Sequence, residues 1–486
     1  MPITQPPHQQ NQSATYLHPS THTPVPTSYT EKLQPTDLVL PEFPKLQAYR
    51  SPLLWSPQQK SVTTVIACSI TAMAAYAAGE CGPAFGQLQK AWGVSRVPYN
   101  LGTTLFTLGF AVTPMRLAPF SESWGRRPVF LTSGGLFTAC LAGCGASTSL
   151  AGLLVGRFFL GVAGSSFSSI VGGVISDIYA DHERNVPMAL FSGATLFGTG
   201  LGPLVGSVIA LRTTWRWIYY SQAIASAMFV ALLYFFFAET REAILLVRKA
   251  AAWNEYYEKR EQVGLRALMI RIHRRMVGWC GRGIPVVFFF SLWVAFSWAV
   301  LYLNFGSIPL IFSTTYNFTL EQTGAIFTAI PTAAILATLL SSYQEKLATK
   351  HNLLGPSPES RLYFACLESI LLPIGLFWFG WTAQPSIHWI VPTLGIACSI
   401  VGVFSIYLAT FNYLADAYQE FASSAIAAQS FCRNLLGGIF PLVTNAMFSN
   451  LGYGPAASVL GGIGLVLTFV PWVLVAFGPR IRAKSR

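Results

Sequence analysis

The chain has 486 residues, of which 52% are hydrophobic and only 10% charged. A soluble domain carries about 25% charged residues to solvate its surface, so this composition excludes an ordinary soluble enzyme, a disordered protein and a secreted disulfide scaffold. The formal net charge of +12 would suit a nucleic-acid reader, but Lys and Arg cluster in the N-terminal tail, one central segment and the C-terminal end and leave the long apolar runs almost bare, which is the positive-inside bias of a polytopic membrane protein.

Residues 1–60 hold 11 of the 30 prolines, with many Gln, Ser and Thr. Such a segment buries too little apolar area to offset its ordering entropy, and it contains no signal-peptide core, so it reads as a disordered cytosolic tail. From Val62 onward, apolar runs of about 20 residues, the length that crosses a hydrocarbon core as a helix, recur twelve times. They fall at 62–84, 98–118, 129–148, 151–174, 187–210, 217–237, 284–306, 322–343, 362–382, 387–411, 422–447 and 455–477, numbered spans 1 to 12 below. The charged stretch 238–283 divides them six and six. The expected organisation is an N-terminal bundle over 61–237, a cytosolic linker over 238–283, a C-terminal bundle over 284–479 and a basic tail over 480–486. Within the linker, 251–276 reads either as helices lying on the inner membrane surface or as a solvated connection. Ten basic residues lie between Arg241 and Arg282, and Arg126, Arg127, Lys346, Lys350 and Arg361 fall on the same side; only Lys90, Arg96, Arg212 and Arg216 lie opposite. Both termini are therefore predicted to be cytosolic. The eight cysteines form no CxxC pair, and neither a zinc site nor a disulfide frame is indicated.

Three sequence runs carry chemistry. Between spans 2 and 3, Ala118-Pro119-Phe120-Ser121-Glu122-Ser123-Trp124-Gly125-Arg126-Arg127-Pro128 is a tight turn in which Glu122 and the paired arginines can latch helix ends. In span 4, Arg157 lies within Gly156-Arg157-Phe158-Phe159-Leu160-Gly161; an ionisable group inside the hydrocarbon is a functional candidate by default, the alternative being an anchor to backbone carbonyls. Asp177, at the inner end of that span, reads as a contact near the Arg126–Arg127 turn. Span 5 carries Gly198-Thr199-Gly200-Leu201-Gly202-Pro203-Leu204-Val205-Gly206. No strand precedes it, so it is no nucleotide loop; Gly198, Gly202 and Gly206 allow close helix approach and Pro203 adds a bend.

In this order the runs resemble the motifs of the major facilitator superfamily, with Glu122 where a generic member has Asp. Trp215-Arg216-Trp217, Glu239-Thr240-Arg241, Leu301-Tyr302-Leu303-Asn304-Phe305, Asn412-Tyr413-Leu414-Ala415-Asp416 and Phe431-Cys432-Arg433-Asn434 extend the likeness over roughly residues 60–486. The chain is thus identified by resemblance as a member of the fungal twelve-span drug:proton antiporter branch, the group of polyamine, multidrug and metabolite exporters that includes itaconate exporters. The resemblance implies an all-α integral membrane protein with twelve transmembrane helices in two six-helix bundles. It also implies a monomer in the cell membrane, or in a vacuolar or other endomembrane. Its partners are a small-molecule substrate and the lipid bilayer, with no nucleic acid. No cofactor is expected, and the proton gradient supplies the energy. Neither an HExxH nor a GxSxG run is present, which argues against a membrane enzyme. A transporter-like sensor would keep the fold, but a tail of this length is ordinary.

In this fold the first and fourth helices of each half line the cavity. Glu80, near the outer end of span 1, and Arg157 lie at similar depth by helical rise. The expectation is that Glu80 exchanges the driving proton and Arg157 tunes it, the alternative being a static ion pair. Other acids are sparse: Glu368 falls in a peripheral span and Asp416, a gating candidate, near a cytosolic end. Arg116, Arg157 and Arg433 oppose them, and buried arginines suit carboxylates. An organic acid or neutral metabolite is expected before a polyamine. Tyr302, Asn304 and Asn412 are candidates for orienting contacts beside Arg116 and Arg433. The competing reading pairs Arg433 with Asp416 and Arg116 with Glu122.

Overall fold

Span 1 is the helix Pro57–Gly79, and it begins earlier than hydropathy indicates. The Ser56 side chain accepts a hydrogen bond from the Gln59 N–H, and Pro57 fills a position whose N–H needs no partner. Residues 57–60 therefore belong to the first span and not to the tail, a correction that the capping chemistry explains. The computed structural model describes residues 50–180, 183–242, 244–249, 284–351, 358–418 and 422–485, all within the unit Gln47–Arg486. The expected disorder of 1–49 and the surface helices of 251–276 lie outside the described residues.

Eleven helices among the described residues are long and apolar enough to cross a membrane. The twelfth crossing, span 2, consists of two helices, Arg96–Val112 and Pro114–Trp124, and falls short of that criterion in hydropathy. Pro114 cannot donate to the preceding turn, and the second piece carries Arg116, Ser121 and Glu122, too polar for an apolar window. Spans 3 to 7 are Arg126–Ala146, Leu150–Ile178, Asn185–Arg212, Arg216–Phe236 and Ile284–Thr315. Spans 8 and 9 are also divided, into Leu320–Ile326 with Ala329–Lys350 and Tyr363–Glu368 with Leu371–Thr382. Spans 10 and 11 are Ile390–Tyr418 and Ala422–Leu451. Span 12 comprises Tyr453–Leu467 and Phe469–Ser485, so its helix continues through the residues expected to form a free basic tail.

The packing repeats after six spans. Span 1 lies on 5, span 2 on 4, and span 3 on 4 and 6; correspondingly 7 lies on 11, 8 on 10, and 9 on 10 and 12. The two bundles meet along the pairs 5 with 8 and 2 with 11. Burial follows this plan. The apolar windows of spans 4, 7 and 10 are 83%, 78% and 78% buried, whereas those of 6 and 12 are 33%. The outer spans turn Met228, Phe235 and Val466 outward, where lipid supplies the apolar neighbour that water cannot.

Span 5 is the hinge of this arrangement because glycine lets it touch both halves. A Cβ on Gly198 or Gly202 would overlap the carbonyls of Ala72 or Tyr76 in span 1, and one on Gly206 would meet the Pro83 ring at 3.3 Å. On its other side Gly200 faces Pro331 and Ile330 of span 8, at 2.6 and 2.7 Å from a built Cβ. Gly79 meets the Pro203 ring in the same way, at 2.7 Å. Close backbone approach of this kind replaces the hydrophobic driving force that lipid removes.

Candidate functional site

Between the bundles, on the face opposite the basic loops, a cavity of about 420 Å³ opens to the surface. Its walls come from both halves: Gly79, Tyr99, Asn100 and Pro203 on one side, Phe305, Phe327, Pro441 and Asn445 on the other. Exposed Lys90 and Arg96 stand at its rim, and no Asp or Glu is among the described residues that line it. The size and the mixture of aromatic and polar walls suit a small organic molecule. Span 2 and span 11 close one side through polar contacts, Asn100 Nδ2 donating to the Pro441 carbonyl at 3.1 Å and Thr104 Oγ1 to that of Gly438 at 2.8 Å.

Behind the wall formed by Gly79, Gly82 and Tyr99 lies a completely buried ion pair. Arg157 Nη1 donates to Glu80 Oε1 at 3.1 Å and to the Ala77 carbonyl at 2.7 Å. Its Nε donates to the Gly102 carbonyl at 3.4 Å, and its guanidinium lies over the Phe106 ring at 4.9 Å. Both expectations for Arg157, pairing with Glu80 and anchoring to backbone carbonyls, thus describe one group. Glu80 Oε2 and Arg157 Nη2 are buried without a hydrogen-bond partner. Tyr99, whose hydroxyl donates to the Cys81 carbonyl, stands between the pair and the cavity. Sequence reasoning passed over Tyr99, since a lone tyrosine at a span entrance is an ordinary interface residue.

Arg433 lies deeper and has no carboxylate partner among the described residues. Its guanidinium stacks against Trp298, Tyr407 and Phe411, with centroid distances of 4.5, 4.9 and 5.8 Å. Nη2 donates to Ser168 Oγ at 3.1 Å and Ser430 Oγ at 3.2 Å. The sequence alternative that pairs it with Asp416 fails, because Asp416 is held elsewhere. Tyr302 and Asn304 are buried beneath the cavity floor and do not line the open space. Tyr302 links the floor to the deep site, its ring 5.1 Å from Phe305 and 6.2 Å from Trp298.

The basic end is held shut by charge. Asp416 accepts from Arg184 Nη1 at 2.8 Å, across the two halves, and from Arg361 Nε at 3.1 Å within its own half. Asn412 was expected in the substrate cavity; instead its Nδ2 donates to Asn185 Oδ1 at 2.6 Å, one turn from Asp416, because that face of span 10 points at span 5. In the first half, Arg126 Nε donates to Asp177 Oδ2 at 3.1 Å, and Arg241 Nη1 to Asp177 Oδ1 at 3.1 Å. The two latches repeat: 51 residues separate Arg126 from Asp177 and 55 separate Arg361 from Asp416.

The turn between spans 2 and 3 owes its shape to a residue that carried no assigned role in the sequence. Glu239 accepts from the backbone N–H groups of Arg126 and Arg127, at 2.8 and 3.2 Å, and so caps span 3. Gly125 has φ 105° and ψ 158°, a region open essentially to glycine, and a Cβ there would collide with the Glu239 carboxylate. Residues 239–241 are accordingly docked and do not begin a free linker. Glu122 is buried beside this turn. Arg116 is the plain correction. It is exposed, and among the described residues it neither lines the cavity nor pairs with Glu122. Glu368, in the peripheral span 9 as expected, accepts from Gln344 and Ser405 in a small cavity near Asn412.

Two repeated six-helix bundles with a cavity at their seam, open at one face and latched at the other, define a transmembrane carrier of small molecules and not an enzyme. The chain belongs to the Major Facilitator Superfamily, whose family model matches residues 64–441. Among curated relatives it is 32% identical to the efflux pump FUB11 of Gibberella moniliformis, over 86% of this chain and 72% of that one. It is 31% identical to the multidrug transporter FLR2 of Candida glabrata, over 95% of this chain and 81% of that one. Among solved structures, the proton:xylose symporter XylE superposes with a TM-score of 0.62 at 16% identity, covering 87% of this chain and 97% of that one. The fold expected from the apolar spans is the fold observed.

Proposed function

We propose that this protein is a proton-coupled exporter of a small organic metabolite, an organic acid such as itaconate before a polyamine, working at the cell membrane with its basic face in the cytosol. The observation that carries the coupling is the sealed Glu80–Arg157 pair, which sits behind the cavity wall with one carboxylate oxygen and one guanidinium nitrogen unpartnered. An intramembrane acid with a single charged partner suits a proton relay. As spans 1 and 4 shift during alternation, Glu80 loses its counter-charge and takes a proton; as they return, Arg157 displaces it. Asp416 and the Arg126–Asp177 latch hold the cytosolic end while the cavity faces outward. The names of the relatives support export as the direction.

Glu80→Gln tests this reading, since the amide keeps volume and hydrogen bonding but exchanges no proton at physiological pH. In proteoliposomes, flux driven by a pH gradient should be abolished while substrate exchange at equal pH persists. Unchanged gradient-driven flux would sink the proposal. A merely static pair gives a third pattern, in which both fluxes fall together with thermal stability, by about 3–5 kcal/mol for a broken buried pair. Multidrug export is a second reading, favoured by the aromatic wall of Phe85, Phe305 and Phe327; efflux of apolar dyes in preference to carboxylates would select it.

A further inference from the structure

Three arginines are among the largest fully buried side chains of the described residues: Arg126, Arg157 and Arg433. The first two have carboxylates, Asp177 and Glu80. Arg433 has none among the described residues, and its Nε and Nη1 are buried without any hydrogen-bond partner. A charge removed from water and left uncompensated is costly, and proteins ordinarily pair it. Aromatic contacts with Trp298, Tyr407 and Phe411 ease that cost but occupy the faces of the guanidinium, whereas its N–H groups point outward in the plane.

The position is central. The groups around Arg433 come from span 4 (Ser168), span 7 (Trp298) and span 10 (Tyr407 and Phe411), the most deeply buried helices of both halves. Pro441, in the same helix, lines the open cavity about two turns away, roughly 12 Å by helical rise. The Phe305–Tyr302–Trp298 ladder runs from the cavity floor down to the site.

We propose that Arg433 binds the carboxylate of the transported molecule, which supplies the counter-charge that the protein withholds. This rests on the transporter reading and adds the residue that takes the acid's carboxylate. A carboxylate arriving in the guanidinium plane takes Nη2 together with either Nε or Nη1, and the hydroxyls of Ser168 and Ser430 rotate to donate to the same anion. The aromatic walls accept a flat or aliphatic body. The rim, with Lys90 and Arg96 and no acid among the lining residues, has the same sign preference. A polyamine would instead bring cations beside a fixed cation in a low-dielectric site.

The test uses the full chain in lipid nanodiscs, as wild type, Arg433→Gln and Arg433→Lys, with itaconate, succinate and benzoate as probes and dimethyl itaconate and spermidine as controls. At least one of the three carboxylates should bind the wild type and raise its melting temperature, while the uncharged ester should not. Arg433→Gln should weaken that binding roughly ten- to a hundred-fold, with the lysine variant in between. Without ligand, Arg433→Gln should melt no lower than the wild type, because it removes an uncompensated charge. A structural anchor would behave oppositely, and a lower melting point without ligand would overturn the proposal. So would binding of spermidine but no carboxylate by the wild type, binding of none of the five compounds, or equal carboxylate affinity in wild type and Arg433→Gln. Proton-driven efflux of spermidine or of a dye from the same protein would then show that carriage survives and only the anion is wrong.

Discussion

Gly125 and Glu239 show how much of the latch rests on single atoms. The turn needs a backbone conformation that costs other residues of order 1–3 kcal/mol, and the space a Cβ would fill belongs to the Glu239 carboxylate. Gly125→Ala should therefore lower the melting temperature of the detergent-solubilised protein and reduce transport. Glu239→Gln, which leaves the turn unhindered, should cost the charge at the helix end, about 0.3–1 kcal/mol, and one of the two backbone bonds to span 3, about 0.5–1.5 kcal/mol, because the amide nitrogen cannot accept. Equal melting of Gly125→Ala and wild type would remove the steric account. At this scale the sequence was legible where charges stand in a run, as with Arg126 and Arg127. It was not legible for Glu239, whose partner Arg126 is 113 residues away. Arg116 failed for a different reason: residue depth can be counted along a helix, but which face meets a neighbouring helix cannot.

At the scale of elements, span 5 makes a graded prediction. Gly198 and Gly202 lie against span 1 backbone, while Gly206 meets only the Pro83 ring and the Glu80 carbonyl, at 3.3 and 3.5 Å from a built Cβ. Gly202→Val should force span 5 away from span 1 and abolish transport while leaving membrane insertion intact, since hydropathy hardly changes. Gly206→Ala should be tolerated, with transport within a few-fold of wild type. Loss of activity in both, or in neither, would detach function from this packing. The glycine spacing was readable in the sequence; its partner helix was not, because spacing states that something comes close without saying what. Apolar length gave all twelve crossings and misjudged their ends where polar residues continue the helix, as where span 2 runs on to Trp124.

For the whole molecule, the determining contacts are those that differ between its two ends. Asp416 joins Arg184 of one half to Arg361 of the other, so it should bias the protein toward the state open on the opposite face. Asp416→Asn removes a charge-assisted bond worth about 2 kcal/mol, or roughly thirty-fold in the ratio of the two states. A cysteine placed at Asn185 should then be labelled markedly faster from the basic side. No change in labelling would mean that packing alone, along spans 5 with 8 and 2 with 11, sets the balance. The sequence supplied Asp177 beside the Arg126–Arg127 turn and Asp416 as a gating residue, but not the pairing of Asp416 with Arg184 and Arg361. That Asp416 is occupied by two arginines is what leaves Arg433 without it.

An uncompensated guanidinium midway through the bilayer also places the carrier in an electric field. The transmembrane voltage acts on any charge that moves along its axis, by about 2.3 kcal/mol per elementary charge per 100 mV for a full crossing, and proportionally less for a partial one. If Arg433 shifts with span 11 during the return stroke, the empty protein performs electrical work at each cycle. With a carboxylate seated on it, the same movement carries no net charge at that point. The voltage of the cell would thus set the pace of the unloaded carrier and leave the loaded one nearly untouched.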